Sequence, residues 1–262
     1  MTQLYLISPP SIDLPVFSKA LEAALAVGEG FVTSFQLRLK EADDATIRNA
    51  TRELMPIVRA HGAAFIINDR PDICAELKCD GVHVGQEDLH SSPLEGESQS
   101  ASTAPRDAVG GELPHTPHGL ASGKALASPA PPQGGSYAIK NIRNIIGADA
   151  VIGVTCHASK HLAMEAGEQG ADYVAFGAFY PTTSKPREKL EKWGAPTPEI
   201  LSWWQSYMTL PCVAIGGITP GNCKPLAESG ADFIAVITAV WNHPKGAAAA
   251  VKEFKKELQD EN

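Results

Sequence analysis

Short apolar runs alternate with longer helix-period segments from one end of the chain to the other. The runs at 4–7, 35–39, 64–67, 81–84, 151–154, 173–176, 212–215 and 233–237 are nearly continuous in apolar residues. Continuous runs, rather than alternating ones, mark parallel strands covered on both faces. Amphipathic segments fall between them, at 14–27, 44–61, 71–77, 137–146, 159–169, 198–205, 220–229 and 246–258. Several close on a glycine (Gly62, Gly147, Gly170, Gly230), the residue that ends a helix in the left-handed region at least cost. The sequence Gly170-Ala171-Asp172-Tyr173 recurs as Gly230-Ala231-Asp232-Phe233, with Cys79-Asp80-Gly81-Val82 a looser copy. This reads as one helix-to-strand turn used repeatedly. Eight strands and eight helices in alternation predict an α/β protein built as a single (β/α)8 TIM barrel spanning residues 1–262.

One stretch breaks the rhythm. Residues 90–136 are rich in Pro, Gly, Ser and Ala, with no aromatic residue and five large aliphatics in 47 positions. Such a composition buries too little apolar surface to offset its ordering entropy, so it is expected to be a disordered insertion after strand 4. The 44% apolar content of the chain as a whole is ordinary for a globular protein. A net charge of −8, with no Lys/Arg stripe, argues against nucleic acid and anionic membrane surfaces as partners. No apolar run is long enough to span a bilayer, and the first ten residues read as a strand rather than a signal peptide. Five cysteines without a CxxC pair point to reduced thiols and a cytoplasmic location.

Strands 7 and 8 carry the most informative pattern. Ala214-Ile215-Gly216-Gly217-Ile218 runs from an apolar strand into a double glycine, and Phe233 to Ile237 ends at Thr238. In such barrels the loops after strands 7 and 8 form a phosphate site from backbone N–H groups. Glycine there lets the main chain approach the anion. The other strand ends are polar too. Gln36, Arg38 and Lys40 alternate with leucines, which fits either a salt-bridged strand face or a site for a diphosphate and a ring edge. Asn68 and Asp69 end strand 3, and Asp88 follows strand 4. Two carboxylates on neighbouring strand tips suit Mg²⁺ shared with substrate phosphates, although Asp69 could equally cap the helix starting at Pro71. Thr155-Cys156-His157 ends strand 5, and Thr182-Thr183-Ser184-Lys185 follows strand 6. Cys156 and His157, as strand neighbours, should point apart rather than form a catalytic pair. His83, inside strand 4, reads as a hydrogen-bonded structural residue, and His157-x₃-His161 lacks a third metal ligand.

The phrases QLRLK, INDR, GVHVGQEDL, IGVTCH, FGAFYPTTSK and AIGGIT occur one per strand end, in order, over the whole chain except the insertion. In combination they resemble the thiamine-phosphate synthase family. The resemblance implies a (β/α)8 transferase that joins a pyrimidine diphosphate to a thiazole phosphate, with Mg²⁺ as cofactor and release of pyrophosphate. It implies that Gln36, Arg38, Lys40 and Asn68 contact the pyrimidine diphosphate, and that Asp69 and Asp88 hold the metal. Thr155 would stand where the family has a serine, and Thr182, Ser184 and Lys185 would bind phosphate. Gly217 with the backbone of Ile237 and Thr238 would hold the thiazole phosphate. Lys185, Arg38 and Lys40 would stabilise the departing pyrophosphate. Three departures keep a hydroxyl in place: Thr155-Cys156-His157 for Ser-Thr-His, Thr182-Thr183-Ser184-Lys185 for Thr-Pro-Thr-Lys, and Thr238 for Ser. A homo-oligomer is left open.

Two other readings compete. A thiazole tautomerase, a relative with the same barrel, would use a proton-transferring residue such as His157 and would not need the full set of diphosphate ligands. A non-catalytic barrel would bind thiazole phosphate without turnover. Mg²⁺-dependent pyrophosphate release separates the synthase from both, and thiazole phosphate affinity without turnover marks the binding barrel.

Overall fold

The computed structural model describes residues 1–85, 89, 138–182 and 194–259. The expected insertion at 90–136 lies outside the described residues.

Eight parallel strands close on themselves in sequence order: β1 (Gln3–Ile7), β2 (Val32–Leu37), β3 (Ala64–Asn68), β4 (Gly81–Gly85), β5 (Val151–His157), β6 (Tyr173–Gly177), β7 (Cys212–Ile215) and β8 (Phe233–Val236). The helices are α1 (Leu14–Val27), α2 (Asp44–Ala60), α3 (Pro71–Leu77), α4 (Ile139–Ile146), α5 (Lys160–Glu168), α6 (Glu199–Tyr207), α7 (Lys224–Glu228), α8 (Thr238–Trp241) and α9 (Ala247–Gln259). Alternation on each strand divides the apolar residues between two cores. Leu4, Leu6, Phe35, Phe65, Val82, Val154, Phe176 and Ile234 point outward into one continuous core under the helices. Tyr5, Ile7, Ile66, Tyr173, Ala175, Val213 and Ala235 fill the lumen. Runs apolar at every position are therefore what this sheet requires.

Helix starts follow local chemistry. Asp13 accepts a hydrogen bond from Val16 N at 3.1 Å, Asp43 from Thr46 N at 2.7 Å, and Ser159 from Leu162 N at 3.2 Å. Each satisfies a donor that the first turn leaves without an intrahelical partner.

The repeated helix-to-strand turn has a definite physical role. The Asp80 carboxylate accepts from Phe65 N at 2.7 Å, Asp172 from Ile152 N at 2.7 Å, and Asp232 from Cys212 N at 2.8 Å. Each aspartate entering an even-numbered strand therefore fastens the odd-numbered strand before it. Arg59, Arg143 and Gln205 hold the three carboxylates from outside. Asp172→Ala is expected to lower stability by about 1–2 kcal/mol, because a charge-assisted bond at a partly exposed site is lost. Activity at 25 °C should stay near normal, since the staple lies at the strand's N-terminal end. Urea denaturation with a parallel rate assay checks both.

Three elements differ from the sequence expectation. Strand β2 lies earlier than 35–39 and ends at Leu37, so of Gln36, Arg38 and Lys40 only Gln36 is a strand residue. The segment 220–229 divides into a 3₁₀ turn at Pro220–Asn222 and α7, because Pro225 interrupts it. Helix α8, directly after β8, was not anticipated: four residues are too few to show a helical period.

Candidate active site

All strands deliver their C-terminal ends to one mouth, where a cavity of about 500 Å³ opens. Every candidate ligand within the described residues lines it: Gln36, Arg38, Lys40, Asn68, Asp69, Thr155, Thr182, Gly217, Ile237 and Thr238. Asp88, Ser184 and Lys185 lie outside the described residues.

The β2 side supplies the cations. Buried Ser8, whose N–H donates to Gln36 O at 2.9 Å, accepts from Arg38 N through its hydroxyl at 2.8 Å. That pair of bonds turns the chain at the end of β2 and keeps Arg38 and Lys40 over the cavity. Burial lowers the pKa of the Arg38 guanidinium, and the neighbouring Asp69 charge opposes that shift.

Asp69 leaves β3 with φ 56°, a left-handed conformation that Asp tolerates better than most residues. Its N–H donates to His83 O at 2.9 Å, which ties the bend to β4. Asn68 Nδ2 donates to its carboxylate. Asp69 is not the helix cap that sequence left open: the cap position of α3 is Arg70, with no side-chain capping bond. Arg70 is itself held by Asp44 and by Asp72 at 2.6 Å, which raises its pKa.

Strand β5 has an extra residue in its pairing with β6 between Thr155 and His157. By strand alternation Thr155 and His157 both reach the cavity, while Cys156 turns outward into the helix-facing core. Cys156 and His157 face opposite sides of the strand and do not form a nucleophilic pair, and burial raises the Cys156 thiol to about 12. His161, four residues on, is exposed beside Glu165, and among the described residues no cluster of His, Cys, Asp and Glu could alone hold a metal. All five cysteines are free and buried.

The glycine pair after β7 has φ values of 103° and 65°. A Cβ on Gly217 would lie 2.5 Å from Pro181 O and 2.8 Å from Tyr180 Cβ. The absence of a side chain is therefore required by the neighbouring β6 loop, in addition to the room it leaves an approaching anion. Tyr180 N donates to Gly216 O at 3.0 Å, and Asn222 Nδ2 to Gly217 O at 3.1 Å, so the turn is fixed from both sides. Beside it, Trp241 of α8 donates to Ile7 O at 2.7 Å and holds the short helix against β1.

Sequence reasoning missed the lumen floor. Gln36 Nε2 donates to Tyr5 OH at 3.0 Å, and the Tyr5 and Tyr173 hydroxyls lie 2.9 Å apart. Tyr173 OH is 2.9 Å from His83 Nδ1, and His83 Nε2 is 2.8 Å from Thr155 Oγ1. The expected structural role of His83 holds, but its ring also lines the cavity. A tyrosine in each of two otherwise apolar strands was the only available signal.

A family model described as thiamine monophosphate synthase matches residues 4–96 and 133–240. The chain belongs to the thiamine monophosphate synthase family. The residues between the two matched stretches, 97–132, fall within the segment that composition sets apart. Curated relatives named thiamine-phosphate synthase include those of Rhodospirillum centenum and Erythrobacter litoralis. The first is 45% identical over 98% of both chains; the second is 42% identical over 98% of this chain and 95% of its own. A solved thiamine phosphate pyrophosphorylase from Pyrococcus furiosus shares the fold, with a TM-score of 0.67 and 24% identity over 98% of this chain and 95% of that one. Family membership thus agrees with the order of strand-end phrases read from sequence. The Gly216-Gly217 turn and the Gln36-to-Lys40 segment open onto one shared mouth.

Proposed function

We propose that this family member transfers an aminopyrimidine methyl group from its diphosphate to the nitrogen of a thiazole phosphate, giving thiamine phosphate and pyrophosphate. The observation that carries the reading is the division of the cavity: Gln36, Arg38, Lys40, Asn68 and Asp69 on one side, the Gly216-Gly217 turn with Ile237 and Thr238 on the other. A cation-rich side suits the diphosphate, and a glycine turn beside a short helix after β8 suits a phosphomonoester.

Donor chemistry fits a hard divalent cation. Asp69 brings a carboxylate oxygen to the cavity, and Arg70 is engaged by other carboxylates. Asp69 and Asp88 would hold Mg²⁺ together with diphosphate oxygens, and when bound the ion supplies charge neutralisation to the leaving group. Arg38, Lys40, Thr182, Ser184 and Lys185 would take the remaining diphosphate oxygens, with Asn68 and Gln36 on the pyrimidine side and Thr155 between ring and diphosphate. The ring amino group can push electron density toward the methylene carbon, so C–O cleavage runs ahead of attack. The side chains then need to stabilise the departing pyrophosphate and to hold the thiazole nitrogen in line. No side-chain nucleophile enters, in keeping with the outward-facing Cys156.

The test is pyrophosphate release with both substrates present, with and without Mg²⁺. Release that needs both substrates and the metal supports the proposal. Consumption of a thiazole isomer without pyrophosphate would instead favour the tautomerase, through His157, and thiazole phosphate binding without turnover a binding barrel.

A further inference from the structure

The lumen floor holds a continuous line of polar atoms from the β2 side of the mouth to the β5 side, through Tyr5, Tyr173 and His83. Both phenols are buried, and burial holds their pKa values well above the ordinary range, so both keep their protons. Among the described residues, Tyr5 OH has two hydrogen-bond partners, Gln36 and Tyr173, and Tyr173 OH has two, Tyr5 and His83. Each hydroxyl has one proton to give. Gln36 donates to Tyr5 through its amide nitrogen, so Tyr5 must give its own proton to Tyr173; the reverse would leave the Tyr5 proton buried without an acceptor. Tyr173 must then donate to His83 Nδ1, which requires the ring proton on Nε2, donating to Thr155 Oγ1. His83 is, among the described residues, the one hydrogen-bond partner of the Thr155 hydroxyl. Its own proton is left for the cavity.

We propose that Tyr5 and Tyr173 are positioning residues that set the direction of this hydrogen-bond chain and so fix what the two sides of the mouth offer the pyrimidine diphosphate. On the β2 side, one Gln36 N–H is engaged by Tyr5, leaving the amide oxygen and the second N–H for ligand. That acceptor-and-donor pair complements a ring edge with an amino group beside a ring nitrogen. On the β5 side, Thr155 presents a donor to a phosphate oxygen or ring nitrogen. A flipped amide would reverse every bond in the line and turn the Thr155 hydroxyl inward, so one proton arrangement couples two contacts across the barrel. The lumen is shaped for this line. A Cβ on Gly153 would meet the Tyr173 ring at 1.9 Å, so glycine at that place in β5 makes room for the phenol.

The inference rests on the synthase reading for the identity of the ligand, but the state of the line can be read without turnover. In ¹⁵N-histidine-labelled full-length protein without ligand, His83 is expected to carry its proton on Nε2. A proton on Nδ1 would mean that the line runs the other way and would overturn the proposal. In Tyr5→Phe, KM for the pyrimidine diphosphate is expected to rise roughly fivefold to tenfold, the effect of one misdirected hydrogen bond, with KM for thiazole phosphate unchanged. Equal rises in both constants, or none in either, would refute a positioning role. If Tyr5→Phe does not fold, Tyr173→Phe, which keeps the Gln36–Tyr5 bond, is expected to lose the Nε2 preference of His83; retention of that preference would refute the coupling. Wild-type protein that releases no pyrophosphate would remove the synthase reading while leaving the His83 result standing.

Discussion

Asp69→Asn is expected to lower the rate of pyrophosphate release by roughly two to three orders of magnitude, the scale seen when one electrostatic contact to a developing charge is removed. Asparagine is the informative replacement. Asp69 has φ 56°, and asparagine enters that region at least as readily as aspartate, so the backbone bend after β3 is kept. The neutral amide still occupies the same volume but offers the metal a far weaker ligand. Thermal midpoint and far-UV circular dichroism should be unchanged, and raised Mg²⁺ should recover part of the rate. A variant with near wild-type turnover would take Asp69 out of the site. Asp88→Asn, at the second carboxylate that the synthase reading requires, is expected to behave in the same way.

Gly217→Ala should damage the opposite side of the mouth. Its φ of 65° costs an L-residue about 1–2 kcal/mol, and the new Cβ would lie 2.5 Å from Pro181 O. That oxygen is backbone, so relief requires movement of the β6 loop or of the glycine turn itself. A stability loss of about 2–4 kcal/mol is expected in all, from strain and overpacking together. KM for thiazole phosphate should rise by at least an order of magnitude, with a much smaller change for the pyrimidine diphosphate. The opposite pattern, a weakened diphosphate substrate with normal thiazole phosphate, would place the phosphomonoester elsewhere.

These two variants probe features that differed in how far they could be read from the chain. Asp69 was legible as a polar residue at a strand end, yet its rival role as a helix cap could not be dismissed from sequence. Deciding between them depended on the backbone turning at Asp69 and handing the cap position to Arg70. Gly217 was legible as part of a double glycine after an apolar strand. The reason for glycine was only half visible, because Pro181 and Tyr180, which exclude a Cβ, are distant in sequence. Arg38 and Lys40 were placed on a strand face by alternation, but β2 ends at Leu37 and they reach the cavity from the loop instead. The result survives the wrong reason, since both arrangements deliver side chains to the same rim.

Amphipathic and apolar periodicity determined the barrel, because a parallel sheet covered on both sides imposes an unmistakable run of apolar residues and a helix between each pair of strands. The strand-end phrases determined the family, and with it the class of reaction. Tertiary structure alone decided the lumen. Tyr5, Gln36, His83, Thr155 and Tyr173 come from five strands with no local pattern in common, and hydrogen bonds across a closed barrel depend on distances that exist only after it closes. It also decided the β5 bulge between Thr155 and His157, since one extra residue in a strand shows itself only against its partner's register.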